Sequence, residues 1–160
     1  MKAAAIILIV LCLAALTGTV FLYLSSNLTV EGTGCIATDA ATQRDYFDQI
    51  AAARSSGTFV GTQFTDAALG PAEDYQFYTY TVRLKNNTFL NADIVELQVS
   101  PMGSDILQLG DSEPHTLKAH AVGDLQATVL TAKNMHNVRE LTVSYHIWGL
   151  PFTQKVTYSH

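Results

Sequence analysis

The opening two dozen residues constrain this chain more than any other stretch. Positions 3–24 read AAAIILIVLCLAALTGTVFLYL and carry no charged side chain. A helix of that length spans about 33 Å, enough to cross a hydrocarbon core about 30 Å thick. A secretory h-region is shorter, about 7–15 residues. The run holds about twelve Leu, Ile, Val and Phe side chains, each favouring insertion by roughly 0.3–0.6 kcal/mol, so the gross preference is about 4–7 kcal/mol. Thr17, Gly18 and Thr19 subtract part of it. The expectation is an uncleaved signal-anchor helix over residues 1–25, seated in a lipid bilayer through residues 3–24. The alternative is signal-peptide cleavage at Thr17-Gly18-Thr19 or Ser25-Ser26-Asn27, which gives a secreted domain. Cys12 lies mid-run and Cys35 well past it, so neither fits a lipoprotein cut.

Orientation follows from the flanks. Lys2 and the amino terminus are the positive groups before the run, and Glu31 is the first charge after it. Positive charge stays cytoplasmic, which predicts a single-pass cell-membrane protein with its N-terminus inside and its C-terminal domain outside. Tyr23 then sits where an interfacial aromatic anchors the outer end. The formal charge is −5 and no Lys/Arg cluster exists, so neither nucleic acid nor an anionic lipid surface is expected as a partner. With Cys12 inside the run, Cys35 stands alone outside. No internal disulfide can form. Cys35 is either a free thiol or the link in an intermolecular disulfide that makes a homodimer of tethered copies.

Past the anchor, SSNLTVEGTG (25–34) is polar and without clear period. Residues 26–37 read as a short linker, with Leu28 and Val30 as candidates for a first strand. TDAATQRDYFDQIAAARSSG (38–57) reads as one amphipathic helix, with Asp39 or Thr38 as cap, Phe47 and Ile50 on its apolar stripe, and Gly57 just past its end. From Thr58 the apolar period becomes two. Tyr78, Tyr80, Val82 and Leu84 share one face of a strand; so do Val95, Leu97 and Val99, and Leu141, Val143, Tyr145 and Ile147. Further strands are expected at 58–64, 105–109, 115–121, 125–132 and 153–159. Turn chemistry separates them, including VGD at 122–124 and a WGLPF hairpin at 148–152. Tyr75 and Phe77 have the opposite parity to Tyr78 and Tyr80, which predicts a bulge near Phe77.

The pattern predicts a mainly β chain: the transmembrane helix, the linker, one amphipathic helix, then an antiparallel β-sandwich of seven or eight strands, with residues 38–160 as the extracytoplasmic domain. An immunoglobulin-like topology fits best. The resemblance is architectural, because two core cysteines flanking a buried Trp are missing.

Chemistry is sparse in the sequence. His115, His120, His136, His146 and His160 show no zinc-like spacing. No nucleophile elbow, phosphate loop or dinucleotide fingerprint occurs, so neither an enzyme nor a cofactor is expected. Asp105, Asp111, Glu113 and Asp124 crowd several turns without an EF-hand pattern and read as a solvated face. Asn27-Leu28-Thr29 and Asn86-Asn87-Thr88 match the glycosylation acceptor pattern. In HIWGLPF, His146 and Trp148 share the outer parity next to Phe152, a candidate partner-binding patch. The competing reading packs Trp148 under the 39–54 helix or a loop. The expected role is a membrane-anchored protein-binding or structural module whose protein partner is unknown; an assembly subunit of a surface or secretion apparatus is the alternative.

Overall fold

The computed structural model describes residues 2–25, 27–110, 115–133 and 138–158. The first element is helix α1, Lys2–Ser25. Between Ala4 and Phe21 none of it is buried, and it is long and apolar enough to cross a membrane. Its hydroxyls are satisfied locally: Thr17 Oγ1 donates to the Leu13 carbonyl at 2.7 Å and Thr19 Oγ1 to the Ala15 carbonyl at 2.9 Å. Neither hydroxyl therefore brings an unpaired donor into an apolar medium.

Among the described residues nine strands follow. They are β1 (Leu28–Asp39), β2 (Gly61–Gln63), β3 (Tyr75–Asn86), β4 (Ala92–Val99), β5 (Asp105–Leu109), β6 (His115–Leu117), β7 (Val122–Ala132), β8 (Arg139–Ile147) and β9 (Leu150–Tyr158). They form two antiparallel sheets, in the orders β1-β3-β7-β5-β2 and β6-β4-β8-β9. From β3 onward every connection except the β8–β9 hairpin crosses from one sheet to the other. The crossings knit the sandwich together, and the parity residues of the sequence fill the space between its sheets. Tyr80, Val82, Leu84, Val95, Val99, Val129, Leu141 and Val143 are all fully or almost fully buried there.

The stretch read as a linker is strand β1. It pairs with β3 from Leu28↔Asn86 to Asp39↔Gln76. A register shift between Val30 and Gly32 breaks its alternation, so no period of two shows in the sequence. Leu28 is completely buried. Only residues 26 and 27 separate α1 from β1. The ninth strand beyond the expected eight is this one.

The segment 38–57 divides into a 3-10 turn, Ala40–Gln43, and helix α2, Arg44–Ser55. Asp39 makes no capping bond; its carboxylate accepts instead from Gln76 Nε2 at 2.7 Å. Phe47 and Ile50 are buried as the stripe implied, and Gly57 takes φ +73° past the helix end. The expected bulge at Phe77 is absent, since β3 keeps its register against β1 and β7 there. The parity changes because both faces of the sheet are covered at that end. Tyr78 faces the space between the sheets, while Phe77 lies with Phe47, Leu107 and Leu130 in a second core under α2. The expected VGD turn is the start of β7. A Cβ at Gly123 would come within 2.9 Å of Leu117 Cδ1, so the glycine serves a close approach.

Asn86, half of a glycosylation acceptor pattern, is fully buried. Its Nδ2 donates to the carbonyls of Leu90 at 2.8 Å and Leu117 at 3.1 Å, and its Oδ1 accepts from the Thr88 amide at 3.0 Å. That side chain pins two loops and is unavailable to a glycan in the folded domain.

The standing of β1 can be checked by truncation. A chain beginning at residue 27 keeps the strand and should unfold in urea as one cooperative transition. A chain beginning at residue 38 loses it; loss of Leu28 alone costs about 2–5 kcal/mol. We expect the shorter chain to show no cooperative transition by circular dichroism.

Candidate functional site

The most concentrated polar chemistry lies inside the sandwich, at the end remote from α1. Arg139 opens β8 in one sheet and Asp105 opens β5 in the other. Arg139 Nη1 and Nη2 each donate to a different carboxylate oxygen of Asp105 at 2.7 Å. Both side chains are essentially unexposed, at 1% and 0%. Arg139 Nε donates to the Tyr80 hydroxyl at 3.3 Å, and the Met102 amide donates to Asp105 Oδ2 at 2.7 Å. Tyr158 stands edge-on to Tyr80, their ring centroids 5.7 Å apart. Cys35 pairs with Tyr80 across β1 and β3.

Burial dominates the electrostatics of this cluster. It pushes the Tyr80 phenol up to about 12, with the Arg139 hydrogen bond pulling the other way. Burial also raises the Cys35 thiol, partly offset by its hydrogen bond with Tyr80 and by the Arg139 charge. A raised thiol holds little thiolate near neutral pH. Cys35, the residue considered for a disulfide between copies, is half-buried and faces Tyr80. Every nitrogen of the Arg139 guanidinium is engaged, so it offers no fork to an incoming anion. What the arrangement does is clamp one sheet to the other.

Asp105 therefore leaves the acidic face to which the sequence assigned it. Asp124 sits on β7 and accepts two bonds from Arg83 at 2.7 Å. Asp105 lies opposite Thr131 of the same strand, seven residues from Asp124, or about 23 Å along a strand. These carboxylates do not converge, and Asp111 and Glu113 lie outside the described residues. Among the described residues, no group of three or more His, Cys, Asp and Glu side chains could hold a metal ion. His115 lies on β6, exposed His120 in the turn before β7, and His146 on β8; His136 and His160 lie outside the described residues.

The hairpin patch is split by the strand pleat. His146 points to the outer face of its sheet, half-buried and opposite Asp93. Phe152 pairs with Tyr145 on the inner side, stacked on it with centroids 5.5 Å apart. Phe152 also meets Tyr23 of α1, with centroids 5.2 Å apart. Trp148 does not pack under the 39–54 helix, which covers the other sheet. It sits in the two-residue turn of the hairpin at φ +52°, followed by Gly149 at φ +77°, and is 70% exposed. Backbone parity ends where the hairpin turn begins, so it could not place Trp148.

The comparisons add little to these observations. No protein-family model and no curated protein matches the chain. Among solved structures, the chain is similar to the cupredoxin domain of amoB from Nitrosocaldus yellowstonii, at 10% identity and a TM-score of 0.36, covering 81% of this chain and 84% of that one.

Arg139 was legible in one respect, because it shares the inward parity of Leu141, Val143 and Tyr145. An arginine on a buried face needs a buried acid. Its partner, 34 residues away in sequence, was not legible. Removing one member of a buried pair costs about 3–5 kcal/mol, whereas replacing both by apolar groups is often neutral. We expect Asp105→Asn to lower stability by about 3–5 kcal/mol in urea unfolding, and the double variant Asp105→Leu, Arg139→Met to recover most of that loss.

Proposed function

We propose that this chain is a single-pass membrane protein that holds a β-sandwich against the extracytoplasmic surface of the cell membrane and works through protein contacts. One observation carries the reading. A 24-residue apolar helix, unburied between Ala4 and Phe21, runs within two residues into a strand of the sandwich. In water that surface would stay uncovered; in a bilayer it is solvated by lipid tails. Lys2 at the first position of the helix, ahead of its apolar run, and Glu31 after it support a cytoplasmic N-terminus. The contact between Tyr23 and Phe152 favours a retained anchor, because the last turn of the helix then has a seat on the domain.

For protein contacts, the outer face of the five-stranded sheet offers exposed apolar side chains, Ile36 and Tyr46 among them. Ile36 on β1 is 69% exposed, and Tyr46 on α2 is 44% exposed while touching Phe77. Side chains of this kind anchor partners when a matching pocket covers them.

The reading is tested on the full chain in native membranes. After an alkaline carbonate wash the protein should remain in the pellet at its full mass. Protease added outside intact cells or spheroplasts should digest the sandwich and leave the helix behind. A soluble product lacking the first 25 or so residues would replace the anchored reading with a secreted one.

A further inference from the structure

We infer that the α1-proximal end of the sandwich rests on the same bilayer that holds the helix, with Trp148 seated at headgroup level. The inference rests on the reading of α1 as membrane-spanning, and adds that the domain does not swing free of the lipid.

The geometry of the junction comes first. With only residues 26 and 27 between Ser25 and Leu28, the connection reaches at most about 11 Å. Tyr23 in the last turn of α1 contacts Phe152 of β9, and Phe152 stacks on Tyr145 of β8. The Tyr145 hydroxyl is hydrogen-bonded to the Leu28 backbone, at the start of β1. The helix end, the first strand and the β8–β9 hairpin thus form one packed junction. The end of the sandwich that meets the bilayer is fixed by these contacts.

That same end carries unpartnered apolar side chains. Trp148 is 70% exposed at the hairpin tip, beside Leu150 at 38%. Phe89, in the connection between β3 and β4, is 62% exposed. It lies close by, because Asn86 pairs with Leu28 and Ala92 pairs with Ile147. Val122, opposite Lys85 and one step from Asn86, is 50% exposed. Trp148 also holds φ +52°, a backbone region where bulky residues are uncommon and where Asn, Asp or Gly is the usual choice for such a turn. A strained turn that presents a large indole to the outside is consistent with a turn built to place that indole.

The occupant is the lipid interface rather than an anionic headgroup. Among the described residues only two lysines stand at this rim, too few for an anionic surface: exposed Lys118, in the turn with His120 that holds Asn86, and Lys85, which faces Glu31 with the charged atoms 3.9 Å apart. Trp and Tyr favour the boundary between headgroups and acyl chains because one end of each ring system is apolar and the other can hydrogen-bond. Tyr23 and Trp148 would occupy that boundary together, one from the helix and one from the domain.

Trp148 is the single tryptophan of the chain, so its native fluorescence reads the site directly. The probe is full-length protein in phosphatidylcholine vesicles, at about one chain per vesicle, with and without lipid brominated near the glycerol end of the acyl chains. Trp148 emission should be shifted to the blue, quenched by the brominated lipid and shielded from aqueous iodide. The paired variant Phe89→Ser, Leu150→Ser should move the emission toward the red while the protein still floats with the vesicles. Protein that floats and resists carbonate, yet whose Trp148 is quenched by iodide and not by brominated lipid, overturns the inference and leaves the anchored reading standing. Protein that fails to float overturns both. Blue-shifted emission that appears only at many chains per vesicle and ignores brominated lipid assigns the rim to a second copy, and also overturns it.

Discussion

An apolar helix that the sandwich does not bury is the constraint on which the rest of this structure depends. The sandwich could have folded over α1 and buried it; instead none of the stretch from Ala4 to Phe21 is buried. Internal hydrogen bonding removes the remaining objection to an apolar surround, since Thr17 and Thr19 bond back to their own helix. The domain beyond it is attached without slack. β1 begins two residues after α1 ends and is paired with β3 for its full length. A rotation of the helix is therefore passed to the sandwich through a short, partly packed joint.

The two ends of the sandwich are built differently. At the far end the sheets are joined by a buried charge pair, Arg139 with Asp105, backed by Tyr80. Such a pair adds little net stability, but it penalises any registry that leaves one charge alone. At the near end the loops are tied by Asn86, a neutral side chain that satisfies several backbone groups at once. One end is closed by charge inside the protein. The other presents apolar side chains outward, at Trp148, Phe89 and Leu150.

Much of the fold was legible in the sequence. Strict alternation located β3, β4 and β8, because those strands have one face in the core and one toward water. The apolar run marks α1, because its length and composition are those of a helix able to cross a bilayer. β1 reads as a linker in the sequence because a bulge breaks its period and Gly32 and Gly34 mimic a tether. The change of parity at Phe77 is visible in the sequence but comes from no bulge: α2 covers the outer face there, so neighbouring residues are both buried. His146, Trp148 and Phe152 do not share one face, because strand pairing turns Phe152 inward against Tyr145. The Arg139–Asp105 clamp depends on a contact between sheets, which periodicity does not encode.

An unburied helix and a paired first strand meet with no tether between them. Hydrogen–deuterium exchange on the full chain in lipid nanodiscs tests it most directly. Slow exchange is expected for the amides of residues 4–21, shielded by lipid, and for those of residues 28–39 that pair with β3, with no fast-exchanging stretch beyond the two-residue joint. Rapid exchange throughout 28–37, or along 4–21, would contradict it.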